Sequence, residues 1–170
     1  MQDIKRILVV SRWTKECKKA LHYGISLARA YEAELSILHI IRDTFELSGN
    51  AVYIPRLADL EEGYRNLVEE VKHEFDAMIE AEHAKGMVIK ETTKDGQPAA
   101  EILKAVSTGK IDLVIMAHHQ EDRLEHYLFC RDYEKVIRKM PCSIMLVKTE
   151  PWKEVDRKAL RRGRFRRNLR

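Results

Sequence analysis

Residues 111–148 constrain the fold of this 170-residue chain more than any other segment. An apolar run at 111–116 is followed by a polar stretch, by helical spacing that ends near Met140, and by a second apolar run at 143–148. This order is typical of α/β proteins, which hold phosphate in the loop after such a strand. Residues 110–148 nevertheless contain no glycine, although bare backbone must approach the phosphate oxygens closely. The segment therefore predicts a nucleotide-binding framework without nucleotide-binding chemistry.

The same alternation of strands and helices runs through the rest of the chain. Apolar runs predict strands at 7–10, 34–41 and 87–93. Helical spacing predicts helices from an N-cap at Thr14 to about Tyr31, at 57–84, and from Pro98 onward. Gly86 and Gly109 are expected to end the second and third helices, and residues 42–56 to form a loop. The pattern predicts a single-domain, open, parallel α/β sheet with helices on both faces.

Composition limits the class of protein. No apolar run approaches the ~20 residues of a membrane span, and no signal peptide is evident at the amino terminus. The three cysteines, Cys17, Cys130 and Cys142, cannot all pair with one another. We therefore expect a cytoplasmic protein that does not associate with membranes.

Charge divides the chain into two parts. Residues 157–170 carry eight Lys or Arg side chains and no acid, whereas residues 1–156 hold 23 basic and 27 acidic side chains. We therefore expect a domain at 1–149 and a basic carboxyl-terminal extension at 150–170. The extension could contact nucleic acid or another acidic surface, dock through apolar residues such as Trp152 and Phe165, or stay mobile.

Five short motifs carry a family resemblance that covers about residues 4–149. They are Lys18–Leu21, Leu38–Ile41, Gly96–Leu103, Asp112–Met116 and Glu134–Val147. In these segments the chain resembles the universal stress protein family. The resemblance implies the adenine nucleotide alpha-hydrolase-like fold, with five parallel strands in the order 3-2-1-4-5.

The resemblance also implies a homodimer that forms through the last strand. This strand is uncharged and lies at a sheet edge in the implied topology, and pairing with its own copy is the simplest way to cover it. The expected dimer edge consists of Ser143, Ile144, Met145, Leu146 and Val147.

The motif that the family uses to bind ATP is replaced in this sequence. ATP-binding members carry Gly-x2-Gly-x9-Gly-Ser/Thr after the fourth strand, and an Asp followed by Gly-Ser after the first. The Asp and Gly-Ser positions fall on Arg12, Trp13 and Thr14. The positions of the glycine motif fall on Ala117, Gln120, Cys130 and Arg131. The resemblance therefore assigns the chain to the branch that does not bind ATP, and we expect no cofactor.

A ligand crevice is still expected between the first and fourth strands. Arg12 and Arg131 could grip the phosphate oxygens of another anion, or could pair with the acidic residues near 121–125. His118, His119 and His126 suggest a metal, but adjacent histidines at a strand end diverge and no Cys or carboxylate completes a ligand spacing. The sequence therefore predicts a polar lining and no metal. The candidate crevice residues are Ser11, Arg12, Trp13, Ile40, Ile41, Ala117, His118, His119, Gln120, Cys130 and Arg131.

Residues 122–140 have apolar side chains on two opposite faces of a helix. We therefore predict two helical pieces that are separated by a break around residues 130–132.

No catalytic triad or carboxylate pair is present in the sequence pattern. Three functions remain: a non-catalytic dimeric stress-response protein that binds other proteins, a sensor of a nucleotide or other anion in the crevice, and a nucleic-acid-associated factor that uses residues 157–170.

Overall fold

The computed structural model describes residues 3–41, 57–118 and 135–148. A short helical segment at 135–139 precedes the last strand. The predicted loop at 42–56, the predicted helix break at 130–132 and the basic extension lie outside the described residues. The described strands and helices are β1 (Arg6–Ser11), α1 (Lys15–Tyr31), β2 (Glu34–Ile41), α2 (Leu57–His83), β3 (Ile89–Asp95), α3 (Pro98–Gly109), β4 (Leu113–His118) and β5 (Ser143–Lys148).

The five strands form one parallel sheet in the order β3-β2-β1-β4-β5, which confirms the predicted topology. β1 is the central strand, because Val9 pairs with Ile37 of β2 on one side and with Ile115 of β4 on the other. From β1 the chain adds β2 and then β3 on one side of the central strand. It then crosses back and adds β4 and β5 on the other side. The carboxyl ends of β1 and β4 therefore lie at the point where strand order reverses, which is the usual ligand position in such sheets.

Each face of the sheet packs against a different set of helices. Ile7, Val9 and Leu35 belong to the apolar cluster that contains α1 and α2, whereas Leu8 and Val10 belong to the cluster that contains α3. This division follows from right-handed crossovers, because the connections through α1 and α2 run in one direction and the return through α3 runs in the opposite direction. The core thus has two layers that the sheet separates.

Two predicted strands begin later than the sequence pattern indicated. β3 starts at Ile89 instead of residue 87, because the backbone N–H of Met87 still donates to the carbonyl of Glu82 in the turn that ends α2. β4 starts at Leu113 instead of residue 111, because Lys110 caps α3 with a left-handed backbone and the N–H of Ile111 donates to Val106.

Thr14 occupies the predicted N-cap position of α1, but its side chain forms no capping hydrogen bond. Its carbonyl accepts a 3.0 Å hydrogen bond from the backbone N–H of Cys17, and its hydroxyl lies 3.3 Å from the Cys17 thiol. The helix therefore begins where the sequence predicts, although the capping side chain does not satisfy a backbone N–H.

Gly24 lies where α1 packs closely against the sheet. A Cβ atom at this position would lie 2.4 Å from Cγ2 of Val9 in the central strand. Glycine is unfavourable within helices by about 1 kcal/mol relative to alanine, so its presence here is explained by packing.

We predict that Gly24→Ala destabilises the protein by about 1–3 kcal/mol, because overpacking outweighs the gain in helix propensity. Urea denaturation of the purified variant measures the change. Ser26→Ala, which introduces alanine at an exposed position of the same helix, should change stability by less than about 0.5 kcal/mol. A Gly24→Ala variant that is as stable as the wild type would contradict the packing argument.

Candidate functional site

The candidate site begins where β1 ends. Between Ser11 and the start of α1 at Lys15, the backbone turns through Trp13, which adopts a left-handed conformation with φ of 55°. This conformation is uncommon for a bulky side chain and costs roughly 1–2 kcal/mol. The turn is held in part by a 3.2 Å hydrogen bond from the backbone N–H of Trp13 to the hydroxyl of Ser11.

The Trp13 side chain points into the core instead of into solvent. Its indole is 7% exposed and stacks on the imidazole of His39, with ring centroids 3.7 Å apart and planes 3° from parallel. Phe75 of α2 contacts both rings edge-on, at 5.6 Å from Trp13 and 5.7 Å from His39. These three rings, called the aromatic cluster below, join the end of β1 to β2 and α2.

His39 is the buried polar centre of the aromatic cluster. Its side chain is 1% exposed, and Nε2 lies 3.3 Å from Oε2 of Glu91 on the neighbouring strand. Because a carboxylate only accepts hydrogen bonds, Nε2 of His39 carries the ring proton and donates a hydrogen bond to Glu91. Nδ1 then holds a bare lone pair, and it has no hydrogen-bond partner among the described residues.

Burial determines the protonation state of His39. Desolvation, assisted by the positive charge of Lys72, lowers the pKa of His39 to about 4. Burial and the negative charge of Asp76 raise the pKa of Glu91 above its usual value. At neutral pH the imidazole is therefore uncharged, which suits its place between apolar rings.

The structure brings some candidate crevice residues together and separates others. Ser11 and Trp13 lie together at the end of β1, and Ala117 is buried in the same apolar cluster as Trp13. Ile40 is buried on the opposite face of the sheet, in the cluster that contains α3. Arg12, which stands between Ser11 and Trp13 in the sequence, is half-buried.

The remaining candidates are described in part or not at all. Ile41 and His118 end β2 and β4, but only their backbones are described. The other four, His119, Gln120, Cys130 and Arg131, lie outside the described residues.

His39, Phe75 and Glu91 belong to this site, although the sequence pattern did not predict them there. The signal for His39 was its spacing, because it follows the buried residues Leu35 and Ile37 at two-residue intervals along β2. A histidine in that phase is expected on the buried face. Its contacts with Phe75 and Glu91 depend on the strand register and on how α2 packs, which the local pattern does not contain.

β5 forms one edge of the sheet and pairs with β4. Of the residues expected at the dimer edge, Ser143 and Leu146 are exposed, Ile144 and Met145 are half-buried, and Val147 is buried.

Cys142, directly before this strand, has a pKa raised by burial and by the nearby Asp112 carboxylate. Its thiol is therefore protonated at neutral pH and is a poor nucleophile.

The described residues provide neither a metal-binding cluster nor a membrane span. Residues 3–41, 57–118 and 135–148 contain no group of three His, Cys, Asp or Glu side chains placed to hold a metal ion. Within the same ranges, no helix has the length and apolar character that a membrane span requires.

Residues 3–148 match the family model of the universal stress protein family. The chain is 28% identical over 151 residues to Universal stress protein YxiE of Bacillus subtilis, which covers 84% of this chain and 98% of that protein. It is 38% identical over 58 residues to Universal stress protein E of Escherichia coli, covering 34% of this chain. The chain spans only 18% of the length of that relative. These matches confirm the resemblance that the sequence motifs indicated.

Solved structures show the same fold. The universal stress protein UspA from Lactobacillus plantarum superposes with a TM-score of 0.58 at 19% identity, over 86% of this chain and 99% of that one. A universal stress protein in complex with cAMP gives a TM-score of 0.55 at 15% identity, over 88% and 100% of the two chains. A family member from Arabidopsis thaliana with AMP bound gives 0.52 at 15% identity, over 86% and 92%.

We predict that His39 makes the protein less stable in acid. Because the pKa of His39 is about 4 when folded and about 6.5 when unfolded, the unfolded chain binds one more proton between these values. This histidine should therefore lower the free energy of unfolding by about 3 kcal/mol as the pH falls from 6.5 to 4. His39→Phe, which keeps an aromatic ring against Trp13, should remove that part of the pH dependence in denaturant titrations.

The matched control for this prediction is His22→Gln, which replaces an exposed histidine of α1. It should leave the slope of stability against pH close to that of the wild type. Equal slopes for His39→Phe and the wild type would mean that His39 does not enter the folded protein as a neutral buried group.

Proposed function

The chain belongs to the universal stress protein family, and we propose that it is a cytoplasmic, non-catalytic, dimeric stress-response protein that does not bind ATP in the usual way. The family is supported by a match over residues 3–148. The finer proposal depends on the residues at the end of β1 and at the edge of the sheet.

The observation that carries the ATP proposal is the pair Arg12-Trp13. The family resemblance implies Asp and Gly at these positions. A carboxylate accepts hydrogen bonds from hydroxyl groups, such as those of a ribose, whereas a guanidinium only donates. Trp13 keeps the left-handed backbone that suits glycine, but its indole is fixed in the aromatic cluster. The end of β1 therefore has a rigid turn with the hydrogen-bonding character of its first residue reversed.

We predict that ATP and ADP do not stabilise this protein. A ligand at 100 times its Kd stabilises a fold by about 2.7 kcal/mol, which for a chain of this size raises Tm by roughly 5–10 °C. A thermal-shift measurement with millimolar nucleotide and magnesium should show no such rise. An ATP-binding universal stress protein in the same plate serves as the positive control.

A rise of several degrees with ATP would contradict this proposal. It would mean that Arg12 and the substituted glycine positions still permit nucleotide binding. The cAMP and AMP complexes of other family members make these two nucleotides necessary additions to the screen.

The alternative function is a sensor of a nucleotide or other anion in the crevice between β1 and β4. It is favoured by the arginine at position 12, since a guanidinium fork matches phosphate oxygens. Polyphosphate in the thermal-shift screen distinguishes the two functions. Stabilisation that Arg12→Gln abolishes would support the sensor, whereas no response to any anion would leave the non-binding protein.

The dimer proposal is supported by the outer strand of the sheet. β5 is a regular strand in which the four residues from Ile144 to Val147 are all uncharged, and Leu146 is 44% exposed. Ile137, in the helical segment at 135–139, is another large exposed apolar residue, at 48%. β3, at the opposite edge, has charged side chains that discourage pairing with another strand. The two edges therefore differ in a way that favours self-association through β5.

We predict that the wild-type protein sediments as a dimer at micromolar concentration and that Leu146→Glu sediments as a monomer. A charge buried without a partner should cost at least about 2 kcal/mol, which is roughly thirtyfold in the dissociation constant. Val88→Glu is the matched control, because Val88 is 73% exposed beside β3, at the opposite edge of the sheet. A wild-type monomer, or a dimer that survives Leu146→Glu, would exclude association through β5.

A further inference from the structure

A groove of about 320 Å³ lies between α3 and the strands β2 and β3. It is on the face of the sheet that α1 and α2 do not cover. Its volume is at the lower end of the range for small-molecule sites, about 300–1,000 Å³. The groove shares no residue with the candidate crevice at the ends of β1 and β4.

The walls of the groove are regular secondary structure. On the strand side, Leu38 and Thr92 are paired neighbours on the same face of β2 and β3, and Lys94 follows Thr92 by two residues. The helix side is one continuous stripe of α3 at the spacing i, i+3, i+4 and i+7, which consists of Glu101, Lys104, Ala105 and Thr108. Rigid elements therefore define the shape of the groove.

The groove has an apolar interior. Leu8 and Leu38 are buried in the sheet beneath it, while Ala105 and Ile111 are half-buried and pack against the same apolar cluster. Such a surface favours the apolar part of a ligand, because its burial removes hydrocarbon from water.

Two lysines provide the charge at the groove. Lys94 of β3 and Lys104 of α3 are both exposed, and neither forms an ion pair with a described residue. Lys90 precedes Lys94 by four residues and lies on the same face of β3. It instead forms an ion pair with Glu34, at 3.5 Å. With one acidic residue, Glu101, in the lining, the groove carries a net positive charge.

We propose that this groove binds a small amphipathic anion, with an apolar body against Leu38 and Ala105 and an acidic head between Lys94 and Lys104. The apolar interior selects the body and the two ammonium groups select the head. A strongly polar ligand such as a free phosphate would leave the apolar interior in water, and an uncharged hydrocarbon would leave both lysines without a partner. The combination favours a carboxylate or sulfonate attached to an apolar chain or ring.

The probe for this site is 1-anilinonaphthalene-8-sulfonate, which joins aromatic rings to a sulfonate and becomes fluorescent in apolar surroundings. The natively folded protein should bind it saturably, and decanoate should displace it. The double variant Lys94→Gln/Lys104→Gln should bind the dye about tenfold more weakly, because two partly exposed charge contacts are lost. Ala105→Trp, which fills the groove, should abolish binding.

Lys90→Gln is the matched control, since it removes a lysine from the same strand outside the groove, and it should bind the dye as the wild type does. Circular dichroism establishes that each variant is folded. If Ala105→Trp does not fold, the lysine variants alone decide the test, because both side chains are exposed. Absence of dye binding to the wild type, equal binding by the double variant, or failure of decanoate to compete would each overturn the proposal.

Discussion

The rest of the structure depends on the burial of β1 at the centre of the sheet. Ile7, Leu8, Val9 and Val10 each pair with both β2 and β4, and all four are buried, alternately under α1 and under α3. A parallel strand enclosed in this way must be apolar throughout. The small side of α1 at Gly24 lets that helix approach Val9 closely. This contact helps to place α1, and with it the short turn at residues 12–14.

The end of β1 shows how a bulky residue in a left-handed turn can become part of a core. Trp13 has a backbone conformation that costs free energy for a bulky residue, and burial of its large indole against His39 and Phe75 offsets that cost. The stack requires a neutral imidazole, because a charged one would be isolated from water between apolar rings. The left-handed turn at Trp13 is therefore coupled to the environment of His39.

The sequence predicted the parts of this fold that depend on local pattern. The bounds of β2 and β5 are as predicted because their apolar runs stand between clear breaks, and the strand order followed from the family resemblance. β3 was misplaced by two residues because its only buried side chain is Ile89, so it lacks the alternation that marks a strand. The aromatic cluster was out of reach for another reason. It joins residues 13, 39 and 75, and only the three-dimensional register places them together.

The topology also explains why two separate candidate sites lie on one sheet. Connections through α1 and α2 both place their helices on one face, whereas α3 must cross back over β2 and β1 to reach β4. α3 therefore packs over β2 and β1 and leaves a groove next to β3. The crevice at the strand ends depends on the turn after β1, but the groove depends on side chains of α3 and β3. The groove and the crevice share no lining residue, so substitutions at the turn after β1 leave the residues of the groove unchanged.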